Sequence, residues 1–254
     1  MTQKNSGDPA GLRAAERTPQ ELAELGALLS RQPARPVQLP EFLPGEQALR
    51  LSETVQAMPT WRSSPVVWNP GRHSTRGVSA DEWDATPAEL RAAVRDVAQD
   101  VPALFDEGSG YPAEYRSLLA DLFVFACMGP ELRALLDAWV APGKPLRTNM
   151  EFARYGHGDR LGEHSDAESD TLFVLNLYLD PRYREADGGV LGFRNEDGEE
   201  FAMPPRFNSV SVMPIRPGCV HWVSPWRVAR PGRHTVSIAA GPEPLPRTVH
   251  RGDA

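Results

Sequence analysis

The amino-acid sequence predicts a mainly β protein with its helices placed first, an α+β chain whose second half is an all-β sandwich or jelly roll. Three observations carry this expectation. After Gly143, seven short segments (148–155, 171–179, 189–194, 199–203, 207–213, 220–223 and 233–240) are rich in β-branched or aromatic residues, and Gly, Pro, Asn and Asp punctuate them. Before that point, capping-box patterns precede apolar runs of helical period. Proline, at 25 of 254 residues, is about twice its usual share of roughly 5%. With 21 glycines beside it, long helices cannot dominate.

The elements follow in order. Residues 1–17 read as a flexible tail. Thr18-Pro19-Gln20-Glu21 is a capping box with proline at the first helical position, which predicts a helix through about Ser30. Residues 32–48, with Pro33, Pro36, Pro40 and Pro44, read as an extended connector. Residues 50–78 suggest short extended pieces anchored by Trp61 and Trp68, both expected to serve packing. The stretch 79–140 is expected to be helical. Thr86-Pro87-Ala88-Glu89 caps the run Leu90, Ala93, Val94, Val97, and Pro112 opens a second helix through Leu118, Leu119, Leu122, Phe123 and Phe125. Gly129-Pro130 ends it and starts a short helix over Glu131–Trp139. Cys127, on the apolar face, is expected to be a buried small hydrophobe. The expected organisation is a supporting region over 18–145, a β-core over 146–240, and a tail over 241–254.

Composition narrows the function. The net charge is −7 without a lysine-arginine block, which weighs against nucleic acid as a partner. The longest apolar run, Leu122–Met128, falls far short of the ~20 residues that span a bilayer. No signal peptide is visible, and two isolated cysteines, Cys127 and Cys219, suit a reducing compartment. A cytoplasmic protein is expected. No phosphate-loop lysine motif, GxSxG elbow or HExxH is present.

The segment Leu161-Gly162-Glu163-His164-Ser165-Asp166 carries the chemistry. Two residues apart on a strand, His164 and Asp166 share a face, and His221 can join them from a distant strand. Two histidines and one carboxylate leave three positions open in an octahedral shell, the facial triad of non-haem Fe(II) oxygenases. An HxD pair also arises by chance, and a lone histidine is more often a surface or core residue.

The surrounding residues resemble the 2-oxoglutarate- and Fe(II)-dependent oxygenases, especially their prolyl-hydroxylase-like branch. Tyr155-Gly156-His157-Gly158, nine residues before His164, is similar to the family's Y-G-x-G segment. Leu177-Tyr178-Leu179-Asp180, the turn Asp187-Gly188-Gly189-Val190-Leu191, Pro217-Gly218 before His221-Trp222-Val223-Ser224-Pro225, and Arg233-His234-Thr235-Val236-Ser237 follow in the family's order. The resemblance covers about residues 148–240. It implies a double-stranded β-helix, a cupin-like jelly roll, buttressed by helices. It also implies Fe(II) on His164, Asp166 and His221, with 2-oxoglutarate and O2 as co-substrates. Arg233 would pair with the distal carboxylate of 2-oxoglutarate, and Tyr155 and Tyr178 sit where family tyrosines bond the co-substrate.

One departure concerns the arginine. The family usually places it nine or ten residues after the distal histidine, whereas Arg233 lies twelve after His221 and Arg230 nine. Arg233 is preferred because Thr235 and Ser237 keep the family's register. Asp166 in the triad argues for hydroxylation or another oxidative outcome, since halogenating relatives replace that carboxylate. The expected reaction decarboxylates 2-oxoglutarate to succinate and CO2 while a small molecule, amino-acid-like or biosynthetic, is hydroxylated. A peptidyl prolyl or lysyl hydroxylase and a cupin-type dioxygenase needing no 2-oxoglutarate are the alternatives. Arg160, Glu163, Arg227 and Arg230 are candidates for lining the mouth.

Overall fold

Alternation in the C-terminal strands dictates the architecture. In β14 (Gly232–Pro242), Val236, Ile238 and Ala240 are buried on one face, while Ser237 and Ala239 face a cavity on the other. β7 (Leu146–Tyr155) does the same, with Phe152 in the core and Asn149, Glu151, Ala153 and Tyr155 on the cavity side. A strand with two such faces sits between an apolar layer and a functional interior. The computed structural model describes residues 12–14, 19–69, 74–128, 146–167 and 171–242.

The remaining core strands are β8 (Arg160–His164), β9 (Phe173–Tyr178), β10 (Leu191–Arg194), β11 (Glu200–Met203), β12 (Val210–Pro214) and β13 (Val220–Val223). Together with β7 and β14 they form two facing antiparallel layers, ordered β12-β9-β14-β7 and β11-β10-β13-β8. This is a jelly roll, the double-stranded β-helix. All seven strand segments expected from sequence are present.

The first half adds strands as well as helices. β1 (Val37–Leu39) borders β12, while β2 (Trp61–Ser63) and β6 (Asp96–Ala98) extend the first sheet beyond β7. β5 (Arg91–Val94), β3 (Val66–Asn69) and β4 (Ser74–Gly77) extend the second beyond β8. Each sheet therefore has seven strands. The helix expected over 86–97 is not formed. After one 3-10 turn at Ala88–Leu90, the chain becomes β5 and β6, and Arg95 marks the step from one sheet to the other. Ladder pairing overrides the local capping pattern: Ala93 pairs with Leu161, and Val97 pairs with Ala153.

Helices cover the outer face of the first sheet. α1 (Pro19–Ser30) packs near β1, α2 (Gly45–Gln56) on β14, and α4 (Ala113–Met128) on β7, with the short α3 (Ala80–Ala85) between them in sequence. α2 was expected to be connector and extended chain. It forms because Ala48, Leu51 and Val55 recur at helical spacing and are fully buried, each large side chain contributing roughly 1.5–3 kcal/mol. In α4, Leu119, Leu122, Phe125 and Ala126 face the core. Cys127, one residue further round the helix, is exposed rather than buried, and Cys219 is the buried thiol. Trp61 is buried, as expected of an anchor, whereas Trp68 is partly exposed. The Thr18 cap, the Glu131–Trp139 helix, the 1–11 part of the N-terminal tail and the Arg251-Gly252-Asp253 tail lie outside the described residues. Among the described residues, no helix is long and apolar enough to cross a membrane.

Candidate metal centre

β8 and β13 are ladder neighbours, and their register pairs His164 directly with His221. The two ring centroids lie 4.1 Å apart with the planes inclined at 57°. β8 ends at His164, so Asp166 reaches the histidines from beyond the strand and not from its face. Its Oδ1 is 3.9 Å from His164 Nε2, and its Oδ2 is 3.5 Å from His221 Nε2. One ligand atom from each residue lies within 4.8 Å of the others.

Local chemistry prepares these groups. His164 Nδ1 lies 2.9 Å from the Gly162 carbonyl, an acceptor that requires an N–H there and leaves the Nε2 lone pair free for a metal. Gly162 is required for its own reason: a Cβ there would lie 2.6 Å from the Ala92 carbonyl on β5. His221 is buried, and burial, reinforced by His164, pushes its pKa down to about 3. It is therefore a neutral imidazole near pH 7, the form that binds a metal.

A cavity of about 270 Å³ lies between the sheets, with all three residues in one wall. Arg233 lines it from β14 and is 3% exposed. The β14 register shifts between Gly232 and Thr235, and Arg233 takes a left-handed φ of 48°, a strained choice for a side chain of this size. Its main-chain N–H donates to Asp180 Oδ2 at 3.3 Å. Its Nε donates to the Gly189 carbonyl at 2.7 Å and its Nη1 to Thr235 Oγ1 at 3.2 Å. The guanidinium carbon lies 4.7 Å from the Tyr155 ring centre and 5.3 Å from that of Tyr178. Every one of these partners to the guanidinium is uncharged, and it has no ion pair among the described residues. Gly189, with φ of 64°, makes the approach possible, since a Cβ would lie 2.9 Å from both Arg233 Cδ and Trp226 Cε3.

Arg230 is differently engaged. Its Nη1 pairs with the buried Asp180 at 2.7 Å and its Nη2 with Asp187 at 3.2 Å, and it does not line the cavity. Tyr155 lines the cavity. Tyr178 is fully buried behind it, its hydroxyl 2.8 Å from Ser211 Oγ, and burial raises its pKa. Arg160, Glu163 and Arg227, considered for the mouth, are not among the lining residues, and Glu163 pairs with Arg194.

The sequence reading missed Arg95, Asn149, Glu151, Asn176 and Ser237, all of which line the cavity. Register aligns Glu151, Ser237 and Asn176 in one row across β7, β14 and β9, and Ser237 Oγ lies 2.7 Å from Asn176 Oδ1. The alternation of Asn149, Glu151, Ala153 and Tyr155 was the available signal for β7. Nothing local marked Arg95.

Residues 150–239 match the family described as the 2OG-Fe(II) oxygenase superfamily. No curated protein matches the chain by sequence. Among solved structures, a Pseudomonas putida prolyl-4-hydroxylase is 20% identical, with a TM-score of 0.57 over 87% of this chain and 98% of that one. A Trichoplax adhaerens prolyl hydroxylase, solved with a hypoxia inducible factor peptide fragment, is 14% identical, with a TM-score of 0.60 over 90% and 95%. The non-heme alpha ketoglutarate dependent epimerase SnoN from nogalamycin biosynthesis is 16% identical, with a TM-score of 0.57 over 89% and 82%. These likenesses establish the shared fold. The matched stretch runs from within β7 to within β14 and contains His164, Asp166, His221 and Arg233, so this part of the chain is similar to the 2OG-Fe(II) oxygenase superfamily.

Proposed function

We propose that His164, Asp166 and His221 hold Fe(II), that Arg233 anchors the distal carboxylate of 2-oxoglutarate, and that the enzyme hydroxylates a small organic molecule admitted through the same cavity. One observation carries this reading: the buried guanidinium of Arg233 opens onto the cavity that holds the donor set and has only neutral partners. A buried, unpaired cation is costly, and a carboxylate that forks onto guanidinium relieves it. The donor set fits as well, since two neutral imidazole nitrogens and a carboxylate suit Fe(II).

When bound, iron with 2-oxoglutarate and O2 supplies the oxidising chemistry, coupled to formation of succinate and CO2. The chain's own part is geometric. Gly162 fixes the His164 ring, the β8–β13 ladder fixes the spacing of the two histidines, and Tyr155 with Tyr178 holds Arg233 between ring faces. The cavity volume of about 270 Å³ is close to the lower end of ligand pockets, roughly 300–1,000 Å³. That suits a co-substrate beside a small substrate.

The test is anaerobic addition of Fe(II) and 2-oxoglutarate to metal-free protein. A visible metal-to-ligand charge-transfer band is expected, absent in His164→Ala, weakened in Arg233→Ala and retained in Arg230→Ala. No band in the native protein, or equal loss in both arginine variants, would overturn the assignment. Succinate release with small molecules against prolyl or lysyl peptides then decides the substrate class, and turnover of peptides alone would favour a peptidyl hydroxylase.

A further inference from the structure

The cavity carries a second pair of charges, Arg95 and Glu151, of which Arg95 also lies within electrostatic reach of Asp166. Arg95 Nη2 lies 2.9 Å from Glu151 Oε1, and both residues line the cavity. The Glu151 side chain is 39% exposed and that of Arg95 19%, so the pair meets solvent while Arg233 does not. A neighbouring ion pair already ties the same strands: Asp96 and Arg154 are register partners, and Arg154 Nε lies 2.9 Å from Asp96 Oδ2 on the face turned away from the cavity. The Arg95–Glu151 pair is thus not needed to clamp β6 to β7. Beyond Glu151 the row continues through Ser237 to Asn176, giving the cavity a polar floor where apolar side chains would ordinarily meet.

We propose that Arg95 and Glu151 together read the adjacent carboxylate and ammonium of a free α-amino acid headgroup. This rests on the iron-site reading above and names the substrate class for it. The two protein charges touch, so a complementary ligand must also carry its opposite charges next to each other. A carboxylate on Arg95 and an ammonium on Glu151 would close a four-charge ring without breaking the existing pair. A dicarboxylate would set a like charge against Glu151, and a diamine would do so against Arg95. A peptide interior carries neither charge. Asn176 and Ser237 remain to bond neutral polar groups of the side chain.

The experiment uses the anaerobic Fe(II)–2-oxoglutarate enzyme and the twenty free L-amino acids, each beside its N-acetyl and its carboxamide derivative. Binding is read by calorimetry and by perturbation of the charge-transfer band. At least one free amino acid should bind at millimolar concentration or tighter, with either block weakening it ten-fold or more. Glu151→Gln should erase the preference for the free amine over its N-acetyl form, and Arg95→Gln the preference for the free carboxylate over the carboxamide. The comparison of blocked with free ligands on native protein stands even if a variant fails to fold. Absence of the band contradicts the iron-site reading. A normal band with no free amino acid bound, or with blocked forms bound equally, overturns this inference alone.

Discussion

His164 and His221 are register partners on adjacent antiparallel strands, with ring centroids 4.1 Å apart. Their separation is therefore set by the ladder itself, and only Asp166 depends on chain beyond a strand end. His221→Ala should leave the fold assembled but cut Fe(II) affinity by more than the roughly 10–100-fold typical of losing an outer-sphere partner. Anaerobic iron titration of the two proteins checks this, and unchanged affinity would remove His221 from the donor set.

The two arginines near the end of the cavity should separate by what they cost. Arg230→Ala removes the closest charged partner of the buried Asp180 carboxylate, which keeps the main-chain N–H donors of Arg182 and Arg233, and this predicts a loss of about 2 kcal/mol and a Tm lower by roughly 4–8 °C. Arg233→Ala removes a buried charge that has only neutral partners, so stability should hold or rise while 2-oxoglutarate affinity falls roughly 10–100-fold. Thermal melts beside co-substrate titrations read both.

Gly189→Ala should act on the same arginine from the other side. The new methyl would press on Arg233 Cδ and Trp226 in a left-handed backbone position, costing about 1–3 kcal/mol. A weaker charge-transfer band together with a lower melting point is expected. A variant with native co-substrate affinity would show that the turn does not place Arg233.

Acid should destabilise the protein through His234. Burial, the dominant cause, pushes its pKa down to about 4 despite Asp180, and its Nδ1 has no hydrogen-bond partner among the described residues. The unfolded chain takes up a proton near pH 6.5 while the folded one refuses it, so this contribution is intact above pH 6.5. It is lost as pH falls toward 4, by about 1.4 kcal/mol per unit and about 3 kcal/mol in all. Urea unfolding between pH 7 and 4 should show a slope smaller by about one proton in His234→Gln. Equal slopes would exclude His234 as the source.

The thiols should react at very different rates. Cys127 is exposed, whereas Cys219 is buried, lies 3.2 Å from Glu196 Oε2 and has its pKa pushed up to about 11 by burial and that carboxylate. One equivalent of thiol reagent should react promptly, on Cys127 by mass spectrometry, with the second only after denaturation.

The strands were legible because each carries its own pattern, as in Val236-Ser237-Ile238-Ala239, where alternate residues face different solvents. The candidate donor set was legible because His164 and Asp166 follow Gly162, and His221 follows Pro217-Gly218, residues with narrow backbone requirements. Residues 86–98 were not, since Ala93, Val94 and Val97 fit a helical stripe as well as a strand, and only Leu161 and Ala153 across the ladders decide between them. Arg95 was hidden for the same reason. α2 was masked by the prolines that precede it, the last of which, Pro44, stands at its N-cap.

The segment from Arg91 to Ala98 belongs to both sheets, pairing with β8 before Arg95 and with β7 after it. The wall bearing the histidines and the wall bearing Arg233 are thereby stitched by one continuous thread, so neither can swing open as a separate leaf. Amide protons on β5 and β6 should accordingly exchange with solvent in a single cooperative opening.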